Sequence, residues 1–213
     1  MEQLKVVIAD DHPIVLLGVR ELVERDHRFC VVGEAVCSQG LIDLLEKQPV
    51  DLVISDYNMP ANSPYGDGLK LVTYLKRHYP AVRILVLTMI SNPLILTQLS
   101  EIGVDGIVQK NQMHGEIENA LNAIATNSTY RAMFNDSSES KAQAVDLRFG
   151  ALSPKEFEII RLFATGQTVS DIARNLNRSK KTISTQKVSA MRKLGVSSDQ
   201  DLIAYCIECN IFG

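Results

Sequence analysis

Asp10 and Asp11 follow directly on the apolar run Val6-Val7-Ile8-Ala9, and Asp56 closes a second such run, "DLVIS". Adjacent carboxylates at the end of a buried strand repel each other, and a third converging on them adds to the cost unless a cation neutralises the group. A hard divalent ion with oxygen ligands, Mg²⁺ above all, does that. Thr88 after "RILVL" and Lys110 after "GIVQ" end two further apolar runs. A hydroxyl and an ammonium beside a metal-bound carboxylate suit a phosphorylated aspartate, because the phosphoryl group brings about two negative charges and three acceptor oxygens. Singly, each residue has a plain explanation: a strand-end lysine is usually a solvated charge, a threonine a turn residue, an aspartate the cap of the next helix. Together, Asp10, Asp11, Asp56, Thr88 and Lys110 point to phosphoryl chemistry on Asp56, with the paired aspartates holding a metal.

Such a set converges only if one fold brings those strand ends together. Between residue 5 and about residue 125, the β-branched runs "KVVIA", "FCVVGEA", "VDLVIS", "RILVLT" and "DGIVQK" alternate with stretches of i, i+3, i+4 apolar spacing, among them "PIVLLGVRELVER" and "EIENALNAIAT". Five strands alternating with helices predict a doubly wound parallel sheet, since right-handed crossovers place helices on both of its faces. Ligands of such sheets sit beyond the carboxyl ends of the strands, where all five residues fall.

The net charge of −3 conceals a division: residues 1–150 carry 13 Lys+Arg against 19 Asp+Glu, and residues 151–213 carry 9 against 6. The basic end suits a polyanion partner. Residues 128–150, rich in Ser, Asn, Asp and Ala without a sustained period, read as a linker. Beyond it the chain reads as four helices. "SPKE", "TVSD" and "SDQD" each set a capping hydroxyl (Ser153, Thr168, Ser198) three residues before a carboxylate, and a further helix starts after Ser179. The second and third of these helices, about 169–176 and 180–194, are short and joined by a tight turn, which is helix-turn-helix spacing. In "KKTISTQKVSAMRKL", Ile183, Met191 and Leu194 form an inward stripe, leaving Lys180, Lys181, Ser184, Thr185, Lys187 and Arg192 for a major groove or, alternatively, a solvated cationic face.

The opening "MEQLKVVIAD" has no basic leader before a long apolar stretch, and no run approaches the ~20 apolar residues of a membrane helix, which predicts a cytoplasmic protein with no membrane partner. Cys30, Cys37, Cys206 and Cys209 are then expected as reduced thiols. The single C-x-x-C of Cys206 and Cys209, without a second pair or matching histidines, lends little support to a zinc or redox site.

The motifs "ADDHP", "SDYNMP", "LVLT" and "GIVQK" resemble those of a response-regulator receiver domain over residues 1–127. "LSPKEFEIIRLFATGQTVSDIARNLNRSKKTIS" and "KLGV" resemble the LuxR-type helix-turn-helix of the NarL/FixJ subfamily over residues 151–213. The resemblance implies a flavodoxin-like strand order 2-1-3-4-5 and a transcriptional regulator. A sensor histidine kinase or phosphotransfer protein would phosphorylate Asp56, and the protein would bind double-stranded DNA as a homodimer, or as a heterodimer with an auxiliary LuxR-type regulator. It assigns Asp10, Asp11, Asp56 and the Asn58 carbonyl to Mg²⁺, Thr88 to a switch hydroxyl and Lys110 to the phosphate, and it puts Lys181, Ser184, Thr185 and Lys187 on the DNA-facing part of the third helix. The last helix, with Leu202, Ile203, Tyr205, Cys206 and Cys209, becomes a packing and dimer element.

Departures from the pattern are Ile107 where many receivers carry an aromatic switch residue, Asn111 where many have proline, a loop lengthened by "ANSPY", and Val188 where a lysine is common. Two other readings remain: an Mg²⁺-dependent phosphohydrolase, which would want an acid where Asn58 stands, and a phosphorylation-independent regulator working through heterodimers.

Overall fold

The computed structural model describes residues 3–59, 64–90, 93–126, 128–131 and 151–208. The chain forms two compact units. Up to residue 131, strands and helices alternate as β1 (Leu4–Ala9), α1 (Pro13–Glu24), β2 (Phe29–Ala35), α2 (Ser38–Lys47), β3 (Leu52–Asp56), α3 (Gly68–His78), β4 (Arg83–Thr88), α4 (Pro93–Ile102), β5 (Gly106–Gln109), α5 (Met113–Ala125) and β6 (Tyr130–Arg131), and the sheet belongs to the first unit. All pairings are parallel, in the order β2-β1-β3-β4-β5-β6.

The five predicted strands take the expected order, and a sixth is added: Tyr130 and Arg131 pair with Gly106 and Ile107. The segment expected as linker from residue 128 thus begins as part of the sheet. At Gly106 a Cβ would stand 2.6 Å from Leu85 Cδ1, so a larger residue there would force that side chain to move. The Tyr130 hydroxyl donates to Glu116 Oε2 at 2.6 Å and ties the strand to α5.

Both faces of the sheet are buried, as its near-continuous apolar strands require. Val6, Ile8, Leu52, Ile54, Leu85, Leu87 and Val108 share one cluster with Leu16, Val19, Leu22 and Val23 of α1 and Ile117, Ala120, Leu121 and Ile124 of α5. The intervening residues Val7, Val53, Ile84, Val86 and Ile107 are also buried, as are Leu41 and Ile42 of α2 and Leu71, Val72 and Leu75 of α3. Each fully buried aliphatic side chain contributes about 1.5–3 kcal/mol, so the central strands are held from both sides. That rigidity fixes what stands at their ends.

The second unit comprises α6 (Pro154–Ala164), α7 (Val169–Asn175), α8 (Lys180–Leu194) and α9 (Asp199–Glu208). Ser153 and Thr168 complete reciprocal capping boxes with Glu156 and Asp171, and Ser179 accepts from the Thr182 N–H. At α9, the Asp201 N–H donates to Ser198 Oγ and the Ser198 N–H to Asp201 Oδ2, both at 3.1 Å. The turn between α7 and α8 passes through Asn177 at φ 56°, a left-handed conformation that asparagine tolerates better than most residues. Ile159, Leu162, Ile172, Ala173 and Ile183 form the core between α6, α7 and α8. Among the described residues no helix is long and apolar enough to cross a membrane. Residues 60–63 of the lengthened loop, residues 132–150 of the expected linker and Cys209 lie outside the described residues.

Candidate functional site

Parallel register brings the polar residues to one end of the first unit. Ala9 pairs with Ser55, Asp56 with Leu87, and Thr88 with Gln109, so Asp10, Asp56, Thr88 and Lys110 lie within about one residue step of a common edge. Beyond β3 the chain is held by the Tyr57 N–H donating to Leu87 O at 2.8 Å and the Gly68 N–H donating to Tyr57 O at 2.9 Å. Gly66 and Gly68, at φ 68° and 55°, make the left-handed turns that lead into α3.

The Lys110 ammonium stands 2.7 Å from Asp10 Oδ2 and 3.1 Å from Asp56 Oδ2. Asp10 is fully buried and Asp56 is 4% exposed. Burial pushes the Asp56 carboxyl up to about 7; the Lys110 ammonium and the Asn58 backbone N–H oppose the rise, and the neighbouring Asp10 charge adds to it. Burial works to lower Lys110, but Asp56 and Asp10 outweigh it and hold the lysine above its ordinary range. Thr88, at the end of β4, is 1% exposed.

Asp11 and His12 complete the edge. The His12 N–H donates to Asp10 Oδ1 at 2.9 Å, and its Nδ1 lies 3.0 Å from Asp11 Oδ1. Asp10, Asp11 and His12 can each turn a ligand atom to a common point, with those atoms within 4.8 Å of one another. Asp10 Oδ2 and Asp11 Oδ1 are buried acceptors that no donor among the described residues meets in hydrogen-bonding geometry, although Lys110 Nζ and His12 Nδ1 stand at ion-pair distance. Buried carboxylate oxygens of Asp10 and Asp11, held by ion pairing and set beside the Asp56 carboxylate, are a donor set that a hard cation fits. His12 was not singled out by the sequence reading; its position directly after the aspartate pair was the available signal.

In the second unit, Lys180, Lys181, Ser184, Thr185 and Arg192 are exposed on α8, while Ile183, Met191 and Leu194 are buried. Lys187 departs from the expectation. It falls four residues after Ile183 and four before Met191, on the inward stripe, and only 9% of it is exposed. Its ammonium is held by Asp199 at 2.7 and 2.8 Å and lies 3.9 Å from the centroid of the Phe163 ring. A lysine can occupy such a stripe because its stem packs as an apolar chain while its charge finds a partner. Lys187 therefore belongs to the internal packing of this unit. In α9, Leu202 and Cys206 are fully buried and Ile203 is 38% exposed.

Residues 6–122 match the response regulator receiver domain, and residues 150–206 match the bacterial regulatory proteins of the luxR family. Over 205 residues the chain is 43% identical to the transcriptional regulatory protein RcsB of Escherichia coli (strain K12), covering 96% of this chain and 94% of that protein. The response regulator UvrY of the same strain is 26% identical over 216 residues, covering 97% and 96%. Among solved structures, two RcsB dimers bound to two parallel DNAs match at a TM-score of 0.76 and 43% identity, over 96% of this chain and 98% of that one. RcsB from Salmonella enterica serovar Typhimurium, bound to promoter rprA in the presence of the phosphomimetic BeF3−, matches at 0.77 and 42%, over 95% and 98%. A parallel sheet with an acidic edge, a four-helix unit with helix-turn-helix spacing and these likenesses agree: the chain belongs to the transcriptional response regulators, with a receiver domain followed by a LuxR-type helix-turn-helix domain.

Proposed function

We propose that Asp56 accepts a phosphoryl group from the phosphohistidine of a sensor histidine kinase or phosphotransfer protein, and that its phosphorylation governs binding of double-stranded DNA by a homodimer through α8. The observation that carries this reading is the Lys110 ammonium between Asp10 and Asp56, at 2.7 and 3.1 Å. In the transfer, an Asp56 carboxylate oxygen forms the new P–O bond as the P–N bond breaks, and the electron pair leaves with the donor imidazole. Asp10, Asp11, Asp56 and the Asn58 carbonyl would hold Mg²⁺, which when bound neutralises the carboxylates and polarises the phosphoryl oxygens. Lys110 has its ammonium placed to pair with the phosphoryl group once Asp56 carries it, and Thr88 has a hydroxyl at the same edge to donate to it.

RcsB is seen as dimers on DNA. A dimer of this chain sets two copies of α8 about one helical turn apart on an inverted repeat. Lys180, Lys181 and Arg192 supply phosphate contacts, and Ser184 and Thr185 face the base edges. The working compartment is the cytoplasm, where a phosphodonor and DNA are both available.

The test is labelling by acetyl phosphate with Mg²⁺, followed by retention of DNA fragments with and without beryllofluoride. Wild-type protein takes label, Asp56→Asn takes none, and beryllofluoride raises retention. Labelling of Asp56→Asn at the wild-type rate refutes the site.

A further inference from the structure

We propose that Val188, together with the methyl group of Thr185, reads thymine methyl groups in the major groove; this rests on the reading of α8 as the DNA-binding helix. Lys181, Ser184, Thr185, Val188 and Arg192 are all exposed, and their spacing along α8 lines them up on one outward stripe. Val188 is 62% exposed. A single exposed valine is ordinary on a protein surface. Its neighbours make this one informative.

The Thr185 hydroxyl donates to the Lys181 carbonyl oxygen at 2.9 Å, within the helix. That bond uses its only hydrogen, so Thr185 cannot donate to a base while it holds. What the residue has left for a groove is an acceptor lone pair and its γ-methyl. Val188 stands three residues further on, where helical neighbours meet with Cβ atoms about 5–6 Å apart. The centre of the stripe is therefore a small apolar surface, the Thr185 methyl and Val188, beside the Ser184 hydroxyl, with Lys181 on one side and Arg192 on the other to grip phosphates. Valine in a helix is nearly confined to one χ1 rotamer, so its isopropyl group is positioned before any contact forms.

Thymine is the only base whose major-groove edge carries a methyl group. Cytosine carries only a hydrogen at the ring position that bears the methyl in thymine, so the apolar contact is lost there. The match is thus to A·T pairs with thymine on the strand facing this stripe. Val188 brings no charge, so its contribution is to sequence preference and not to the salt dependence of binding.

The full chain, with Mg²⁺ and beryllofluoride, is used to enrich binding sites from a randomised duplex library, and each thymine of the enriched half-site is then replaced by deoxyuridine, which removes only the methyl group. At one thymine per half-site the replacement weakens wild-type binding roughly fourfold, the worth of one buried methyl-sized group. In Val188→Ala that loss falls below about twofold, while wild-type-like loss persists in Lys181→Ala, which weakens all sequences alike. Thr185→Ser, which keeps the hydroxyl and removes the methyl, also reduces the loss at that thymine. An enriched site that tolerates deoxyuridine everywhere, or loses equally in Val188→Ala and wild type, overturns the methyl contact and leaves DNA binding by α8 intact. Failure to enrich any sequence refutes sequence reading by α8 and the methyl contact with it.

Discussion

Lys187 in the middle of α8 and Asp199 at the start of α9 are joined, with the ammonium 2.7 Å from one carboxylate oxygen and 2.8 Å from the other. The Asp199 side chain is 56% exposed, so solvent screens the pair and it stabilises little by itself. The buried lysine stem and the Phe163 ring 3.9 Å from the ammonium contribute more. Lys187→Ala is expected to lower the stability of the second unit by about 1–2 kcal/mol while the slope of DNA affinity against salt stays unchanged. Urea unfolding and binding titrations at two salt concentrations measure both. A reduced slope with an unchanged unfolding midpoint would place Lys187 on DNA after all.

Glu156 is a second such tie. Its carboxylate accepts from the Ser153 N–H and Lys193 Nζ, both at 2.7 Å, and from the Ser189 hydroxyl at 2.8 Å. Burial opposes ionisation, but Lys193, Ser153 and Ser189 together hold the carboxyl down to about 2. A depressed value means stabilisation that is complete above the unfolded value near 4.5 and is lost as pH falls toward 2. Glu156→Gln should cost about 2 kcal/mol at pH 7 and almost nothing at pH 2. Thermal melts of the full chain across that interval give the comparison, and an equal loss at both ends would show that charge is not what Glu156 contributes.

Asp56 behaves in the opposite sense. Its carboxyl is raised from 3.8 to about 7, chiefly by burial, so without metal the fold is penalised increasingly as pH climbs through that window, and fully above it. In EDTA at pH 8, Asp56→Asn should melt several degrees above wild type, and the gap should close near pH 4. Mg²⁺ should raise the wild-type midpoint and shift Asp11→Asn much less. A Mg²⁺ response in Asp11→Asn equal to that of wild type would remove Asp11 from the metal site.

Thr88 and Lys110 act after transfer in the proposed scheme. If phosphorylation promotes the dimer, beryllofluoride should raise the dimer fraction of the wild type, and alanine at either position should leave part of the acetyl phosphate labelling and reduce that gain. Sedimentation reads this directly. An undiminished gain in both variants would disconnect these residues from the switch.

The legible parts of the fold were those whose cause is local. Ser153, Thr168 and Ser198 announce helix starts because the capping partner lies three residues away, and β1, β3, β4 and β5 show themselves by consecutive buried aliphatic residues. The acidic edge could be read because parallel topology forces strand ends together. Lys187 was not legible as an inward residue, since its partners Phe163 and Asp199 are distant in sequence and a lysine on a basic helix looks like a surface charge. The two-residue strand Tyr130–Arg131 is too short to have a period. His12 has no pattern of its own, and its place beside Asp11 comes from the turn that its N–H makes with Asp10.

That short strand also has a consequence for any fragment of the molecule. Through Tyr130 and Arg131 it pairs along β5, which would otherwise present unmatched N–H and C=O groups at the rim of the sheet. A receiver truncated after residue 127 would bare that rim as a template for strand addition, and self-association of the fragment could then be mistaken for dimerisation in response to a phosphodonor. A fragment that keeps residues through 131 carries its own guard.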